Sequence, residues 1–186
     1  MKKLKDFITS LHTSTNRDYL ARMSNDKIEC MKIANKFEED YWDGDRKFGY
    51  GGYKYIEGRW KKTAQDLITT YNLKNNSKIL DIGCGKGFLL FEIKKILPNI
   101  EICGIDRSNH AIKNSPIEIR KYLNVFDARK NLQFKDKYFD LTISINTLHN
   151  FKIFDLCNAL KEIDRVSKKS YLCVESFRNE EELFNL

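Results

Sequence analysis

The chain has 186 residues, a formal net charge of +7, and 41% hydrophobic and 32% charged residues, which is typical of one soluble globular domain. No run of about 18 apolar residues is present, which excludes a transmembrane helix, and no unbroken apolar region follows the basic N-terminus, which argues against a signal peptide. The five cysteines lack C-x-x-C spacing and the three histidines form no metal-ligand pattern. We therefore expect reduced thiols, a cytoplasmic protein and no metal site.

The positive charge is spread along the chain, with acidic residues among the lysines, as in the stretch from Lys36 to Asp40. Such mixing indicates a solvated surface, and an anionic partner is the minor alternative. No residue pattern addresses the oligomeric state.

Residues 1–59 are predicted to form an N-terminal segment before a core at residues 60–186. Asp26 followed by Glu29 resembles a helix-capping box, and apolar residues recur behind it at helical spacing. These residues are Cys30, Ile33, Ala34 and Phe37. A second apolar stripe predicts another helix, and its members are Trp60, Ala64, Leu67, Ile68 and Tyr71.

The segment from Tyr41 to Tyr55, with Gly58 behind it, is dense in glycine and aromatic residues. It is too rich in glycine for a helix and too aromatic for a solvated linker. We interpret it as a lid or substrate loop over the strand tips, with Tyr50, Tyr53 and Trp60 as candidate contact residues. The alternative is an aromatic cluster that only ties the N-terminal helices to the sheet.

The most informative segment runs from Ile79 to Gly87, where an apolar run containing Asp81 leads into alternating glycines. Residues 88–97 follow with helical spacing, so the pattern predicts a strand, a tight turn and a helix. Glycines there permit positive φ and let a ligand approach the backbone, and the helix N-terminus adds unpaired N–H groups. The turn therefore predicts a site for a nucleotide-like molecule, against the alternative of a merely tight turn.

Two common nucleotide motifs do not fit this turn. A phosphate-binding loop needs a serine or threonine after Lys86, but Gly87 stands there. A dinucleotide fingerprint needs its third glycine at Phe88. The observed spacing is instead G-x-G-x-G, with an acid two residues before the first glycine.

Acidic residues follow the next two predicted strands. Residues 101–105 end at Asp106, and a carboxylate at this strand tip can accept hydrogen bonds from both hydroxyls of a ribose. The alternative role for Asp106 is a helix N-cap. Residues 122–126 lead in the same way to Asp127, for which a turn aspartate is the alternative.

Two more strands complete the predicted sheet. Residues 138–145 end at Asn146, residues 153–163 carry a helical stripe, and residues 171–176 read as a fifth strand. Strands with polar groups at their C-terminal tips, separated by helices, predict an open α/β sheet with its ligand in the crevice beyond those tips.

From about Leu73 to Ser176, the glycine turn and the two acids in order resemble the class I S-adenosylmethionine (SAM) methyltransferases, whose first motif reads D-x-G-x-G-x-G. The resemblance implies a Rossmann-like, mainly parallel sheet flanked by helices, and SAM as cofactor with S-adenosylhomocysteine as product. It implies that Asp81 supports the turn and the methionine ammonium, and that Asp127 binds the adenine amino group. The residues that it places at the cofactor are Asp81, Gly83, Cys84, Gly85, Gly87, Asp106, Arg107, Asp127, Ala128 and Asn146.

Asn146 and His149 stand at the position where methyl donor and acceptor meet in this family. His149 is the candidate base for a hydroxyl acceptor, and its alternative is packing in the turn. Asn146 is the candidate to hold the acceptor or the methionine end of SAM. The resemblance also gives the aromatic lid a role, because aromatic faces attract a sulfonium ion and closure excludes water.

One departure from the family concerns the C-terminus. The family usually has seven strands, the last an antiparallel edge pair, whereas Leu186 comes soon after the fifth. The C-terminal edge strands are thus expected to be absent, either because the chain is truncated or because the sheet ends early. An early end would leave residues 171–176 as an exposed edge, which proteins normally cover, so we expect missing C-terminal residues or a partner surface there.

We expect the acceptor to be a small molecule. The Asp/Asn-Pro-Pro-aromatic motif typical of base-amine methylation is missing at residues 145–149, and no RNA-binding motif is visible, so nucleic acid is not the expected partner. The glycine–aromatic segment with Gly58–Trp60 more weakly resembles methyltransferases of bacterial surface-polysaccharide pathways, which implies a capsule sugar or a phosphorylated precursor. An RNA or protein methyltransferase and a non-catalytic SAM-binding partner protein are the alternatives.

Overall fold

The computed structural model describes residues 5–9, 11 and 26–174. Within these ranges, parallel strands form one sheet in the order β3-β2-β1-β4-β5. The strands are β1 (Lys78–Ile82), β2 (Glu101–Asp106), β3 (Leu123–Val125), β4 (Leu141–Ile145) and β5 (Ser170–Cys173).

Helices precede the sheet and connect its strands. They are α1 (Lys27–Ala34), α2 (Glu39–Trp42), α3 (Lys61–Tyr71), α4 (Phe88–Ile96), α5 (Asn109–Lys113), α6 (Ile117–Arg120) and α7 (Ile153–Val166), with a 3₁₀ turn at Leu148–Asn150. None of the described helices is long and apolar enough to cross a membrane.

The sheet is covered on both faces, which explains the near-continuous apolar sequence of β1. Ile79 packs in a cluster with residues of α3 and α4, whereas Leu80 and Ile82 pack in a second cluster with residues of α7. These strand residues are 0–1% exposed. The prediction of a mainly parallel α/β sheet flanked by helices is confirmed.

The register of the strands brings the candidate site residues to one edge of the sheet. In the ladder, Asp81 lies opposite Gly104 of β2, one residue before the Ile82–Ile105 pair. Asp106, the last residue of β2, lies opposite Val125 of β3. Because all strands are parallel, the segments that follow β1, β2, β3 and β4 emerge side by side.

The N-terminal helix agrees with the sequence only in part. Asp26 caps α1 as predicted, since its carboxylate accepts a hydrogen bond from the N–H of Glu29 (3.1 Å). The predicted helical stripe through Phe37 is wrong, because α1 ends at Ala34 and Phe37 adopts a φ of 56°. No residue of α1 is buried, so the apolar pattern there does not mark a core face.

The fifth strand forms at Ser170–Cys173, shorter than predicted. Glu175 and Ser176, which the prediction included, lie outside the described residues, so the expectation about further edge strands stays a prediction. The boundary predicted at residues 59 and 60 also stays a prediction.

Candidate cofactor site

The glycine turn between β1 and α4 has a backbone that side chains would obstruct. Gly83 and Gly85 have φ angles of 76° and 55°, in the left-handed region that favours glycine. A Cβ on Gly83 would lie 1.9 Å from Oγ1 of Thr147, and one on Gly85 would lie 2.7 Å from the indole ring of Trp42. The turn therefore requires glycine for both conformation and space.

Asp106 connects the turn to the tip of β2. Its Oδ2 accepts a hydrogen bond from the N–H of Gly85 and its Oδ1 accepts one from the N–H of Ser108, both at 2.8 Å. Asp106 is 8% exposed, and burial raises its pKa in spite of these two bonds. The carboxylate thus fixes the turn and also lines the adjoining cavity.

Asp81 is a buried acid beneath the turn, at 5% exposure. Burial, with the neighbouring charge of Asp106, raises the pKa of Asp81 to about 7, and no hydrogen bond from the described residues offsets this rise. A buried carboxylate in this state gains from a cation brought beside it.

Asp127 follows β3 and is tied to an arginine. The guanidinium of Arg129 donates from Nε to Oδ1 (2.9 Å) and from the second nitrogen to Oδ2 (2.5 Å). These bonds lower the pKa of Asp127 to about 2, so its carboxylate stays ionised and acts only as an acceptor.

One cavity adjoins the segments after β1, β2, β3 and β4. Seven residues that the sequence proposed for the site line it: Tyr50, Gly83, Asp106, Arg107, Asp127, Ala128 and Asn146. The others do not line it: Asp81, Cys84, Gly85, Gly87, Tyr53, Trp60 and His149. The cavity therefore brings together parts of the chain up to about 100 residues apart in sequence through the parallel sheet.

Ten further residues line the cavity, and the sequence did not single out any of them for the site. They are Phe37, Tyr41, Trp42, Ile105, Phe126, Arg129, Ile145, Thr147, Asn150 and Phe151. The signal for Tyr41 and Trp42 was present in the aromatic segment, but the sequence could not say which rings would face the cavity. Thr147 and Asn150 flank the predicted His149 and carried no separate signal.

An aromatic cap, which we define as Phe37, Tyr41, Trp42, Tyr50 and Tyr53, covers this edge of the sheet. The ring of Trp42 stacks on that of Tyr50, with centroids 5.1 Å apart and an interplanar angle of 1°. The indole N–H of Trp42 donates to the carbonyl of Phe37 (2.9 Å) and to Oγ of Ser108 (3.0 Å).

The cap continues into the core at its other end. Tyr53 stacks on Phe88 of α4 with centroids 5.0 Å apart, and burial raises the pKa of its hydroxyl. Trp60 lies at the start of α3 and packs, partly buried, against the core cluster that contains Ile79. Trp60 is thus placed with the core, whereas Tyr50 is placed at the cavity.

Asn146 and His149 differ in their placement. Asn146 has a φ of 52°, an uncommon conformation outside glycine, and its N–H donates to the carbonyl of Cys173 (2.8 Å). His149 is exposed, and its Nε2 lies 3.2 Å from the amide nitrogen of Asn150, which lines the cavity. The histidine therefore stands at the rim.

The residues fit SAM in three respects. The bare turn leaves its main chain open to a ligand, Asp81 offers a buried carboxylate for an ammonium group, and Asp106 and Asp127 bring acceptors to the same cavity. Among the residues that the structure describes, no three His, Cys, Asp or Glu side chains are grouped to hold a metal ion. The fold is therefore Rossmann-like, and its candidate cofactor site lies at the edge of the sheet where the parallel strands end.

Comparisons with known proteins identify the family. Residues 73–186 match the family model described as a methyltransferase domain. The demethylmenaquinone methyltransferase of Thermotoga maritima is 26% identical over 77% of this chain and 58% of its own. The ribosomal RNA small subunit methyltransferase C of Buchnera aphidicola is 36% identical over 73% of this chain and 42% of its own.

A solved structure gives the same fold. The PH0226 protein of Pyrococcus horikoshii superposes with a TM-score of 0.53 and 26% identity, over 72% of this chain and 62% of that one. The chain therefore belongs to the class I SAM-dependent methyltransferase family. It spans about half the length of the curated relatives that it matches.

Proposed function

We propose that the protein transfers a methyl group from SAM to a small-molecule acceptor in the cytoplasm. The observation that carries this proposal is the cavity beside the glycine turn, which Asp106 and Asp127 line together with Asn146. Family membership supports the reaction class.

Three acids bind the cofactor in this proposal. Asp81 lies beneath the turn and does not line the cavity, and we assign it to the methionine ammonium because its buried charge gains most from a cation. Asp106 accepts from the ribose hydroxyls with the lone pairs that Gly85 and Ser108 leave free. Asp127, with Ala128 beside it, accepts from the adenine amino group, and Arg129 keeps that carboxylate ionised. Gly83, Cys84 and Gly87 shape the turn, and Arg107 borders the cavity.

The cap adds an aromatic wall to the site. SAM supplies an electrophilic methyl on a sulfonium ion, and a ring that faces such a cation stabilises it by roughly 0.5–2 kcal/mol. Tyr50 and Trp42 line the cavity with stacked rings, which supports a role beside the sulfonium and in excluding water. Tyr53 and Trp60 lie behind this wall, so we assign them to holding it in place.

The acceptor end of the site lies at the segment after β4. Asn146 is placed to hold the acceptor or the methionine end of the cofactor, and Thr147, Asn150 and Phe151 border the same space. His149 would take the proton from a hydroxyl acceptor on swinging in from the rim. Transfer then depends mainly on holding nucleophile, methyl and sulfur in line.

The acceptor class that we propose is a sugar or phosphorylated precursor of a surface polysaccharide. Support comes from the weaker resemblance of the glycine–aromatic segment. The net charge of +7 is spread over the chain and is only compatible with an anionic acceptor. The similarity to a ribosomal RNA methyltransferase keeps an RNA acceptor as the second candidate.

The test is incubation with methyl-labelled SAM and three acceptor sets: nucleotide sugars with phosphorylated sugars, undermethylated ribosomal RNA, and a protein extract. Mass spectrometry should find one added methyl group in the first set only. Label in RNA alone would show that the acceptor is RNA and not a small molecule. SAM binding without transfer to any set would favour a non-catalytic partner protein.

A further inference from the structure

Hydrogen bonds attach both ends of the cap segment to the rest of the protein. At its start, the carboxylate of Glu38 accepts hydrogen bonds from the N–H groups of Asn109 (3.1 Å) and His110 (2.9 Å). Beyond its end, the hydroxyl of Tyr55 donates to the buried carboxylate of Glu92 in α4. The residues between these attachments include the Trp42–Tyr50 stack.

Between the two ends lies one carboxylate that contacts a lysine and a histidine. Both oxygens of Asp43 lie 2.7 Å from Nζ of Lys86, and Oδ2 also lies 2.7 Å from Nε2 of His110. Oδ1 further accepts from the N–H of Tyr53 (3.1 Å). Although burial raises it, the hydrogen bonds from His110 and Lys86 hold the pKa of Asp43 below its usual value.

The contact between Lys86 and Asp43 joins the glycine turn to the aromatic cap. Lys86 stands inside the glycine turn, between Gly85 and Gly87, yet its own residue exposure is only 4%. Its charge is therefore removed from water and satisfied by Asp43, which directly follows Trp42 in the cap. A buried cation of this kind depends strongly on its partner.

The closed cap leaves little room beneath it. The cavity measures about 110 Å³, whereas pockets for drug-sized ligands measure roughly 300–1,000 Å³. The indole of Trp42 approaches the main chain of Gly85 so closely that not even a methyl group would fit between them. A ligand of the size of SAM needs the cap to move outward before it enters or leaves.

We propose that Asp43 is a positioning residue that latches the aromatic cap onto the glycine turn through Lys86, and that cofactor exchange requires this latch to open. The inference rests on the proposed function, because it takes SAM as the molecule in the cavity. Asp43 acts through Lys86 and Trp42 and touches no reacting atom.

The test compares the dissociation rate of S-adenosylhomocysteine from wild type and from Asp43→Asn by surface plasmon resonance. We expect dissociation at least about tenfold faster in the variant, because removing the carboxylate leaves the buried ammonium of Lys86 without its charged partner and so favours the open cap. The matched control is Asp66→Asn, which removes an exposed carboxylate 2.5 Å from Lys62 on α3 and should leave the rate unchanged.

A double-mutant cycle separates the latch from general destabilisation. Lys86→Met should accelerate dissociation, and adding Asp43→Asn to it should change the rate little further, because both remove one contact. Additive effects of the two changes would overturn the proposal, as would a wild-type rate in Asp43→Asn.

Folding and function are controlled separately. Circular dichroism checks that each variant is folded, and if Asp43→Asn is not, His110→Ala provides the same measurement with the Lys86 contact intact. It should give a smaller acceleration in the same direction, and an unchanged rate there would overturn the proposal. If the wild type itself does not bind S-adenosylhomocysteine, the proposed function fails instead.

Discussion

At the scale of single residues, Asp106 combines structural hydrogen bonds with a place at the cavity. The sequence left a choice between a ribose acceptor and a helix N-cap. The structure gives the N-cap of α5 to Ser108, whose hydroxyl accepts from the N–H of Ala111 (3.0 Å). Asp106 instead joins Ser108 to the glycine turn, and its remaining lone pairs are available at the cavity.

Replacing Asp106 by alanine should weaken SAM binding by about 100-fold, because the change removes a charged acceptor from the ribose and from the N–H of Gly85. Isothermal titration calorimetry measures this affinity. Asp140→Asn is the control, since Asp140 pairs with Lys168 at the opposite end of the sheet and should bind SAM normally. If Asp106→Ala binds SAM within twofold of the wild-type affinity, Asp106 does not bind the cofactor.

The proposed pairing of Asp81 with the methionine ammonium predicts that SAM affinity depends on pH, because the pKa of Asp81 is raised. Below its pKa of about 7 the carboxyl is neutral and cannot pair with an ammonium group. We expect affinity to fall about tenfold for each pH unit below 7 and to level off above it, as measured by calorimetry between pH 5.5 and 8.5. Asp81→Asn should bind weakly at every pH, and a pH profile like that of wild type in this variant would contradict the assignment.

The same group links stability to pH in the absence of cofactor. In the unfolded chain the pKa of Asp81 lies near 3.8 and in the folded protein near 7, so above pH 7 the folded state carries a buried charge. As pH falls from 7 toward 3.8, the folded state takes up a proton and this cost disappears. Asp81→Asn should therefore melt higher than wild type at pH 8, by at least about 2 °C, and the gain should shrink toward pH 5.

His149→Ala should slow methyl transfer by about 100-fold while SAM affinity stays within twofold, because a base acts on the acceptor and not on the cofactor. Single-turnover rates and calorimetry measure the two quantities. Added imidazole should restore part of the rate. Equal transfer rates in variant and wild type would exclude the histidine as base.

At the scale of elements, the turn between β1 and α4 depends on what lies over it. Thr147, after β4, approaches Gly83 from one side, and Trp42 of the cap approaches Gly85 from another. The turn is thus packed between two segments that come from distant parts of the sequence. Its main chain is held by the carbonyl of Ile105, which accepts from the N–H groups of Gly83 (2.8 Å) and Cys84 (3.1 Å).

Gly83→Ala should abolish measurable SAM binding and destabilise the protein by about 1–3 kcal/mol, because it adds left-handed strain to an overlap with Thr147. Gly52→Ala is the matched control, since Gly52 has a φ of 100° but nothing within 4 Å of the added Cβ. The difference between the two variants in urea unfolding reports the overlap alone. Equal destabilisation in both variants would mean that Thr147 moves away from the added methyl group with no loss of folding free energy.

At the scale of the whole molecule, the sequence predicted the features that repeat along the chain. Apolar runs with acids at or near their ends placed β1, β2 and β3 along the chain, and helical spacing placed α4 and α7. The pairing of Asp43 with Lys86 joins residues 43 positions apart, and no periodicity signals such a contact. The same holds for Trp42 over Gly85, because the glycine-rich segment between Trp42 and the core permits many paths.

The position of Trp42 has an optical consequence. The chain has two tryptophans, Trp42 and Trp60, so Trp60→Phe leaves one indole, stacked on Tyr50 at the cavity wall. Because indole fluorescence responds to its surroundings, the emission of this variant should shift on titration with SAM and saturate at the concentration found by calorimetry. A constant spectrum through saturation would show that the wall keeps its environment when the cofactor binds. The emission of Trp42 can therefore be used to follow the movement of the cap.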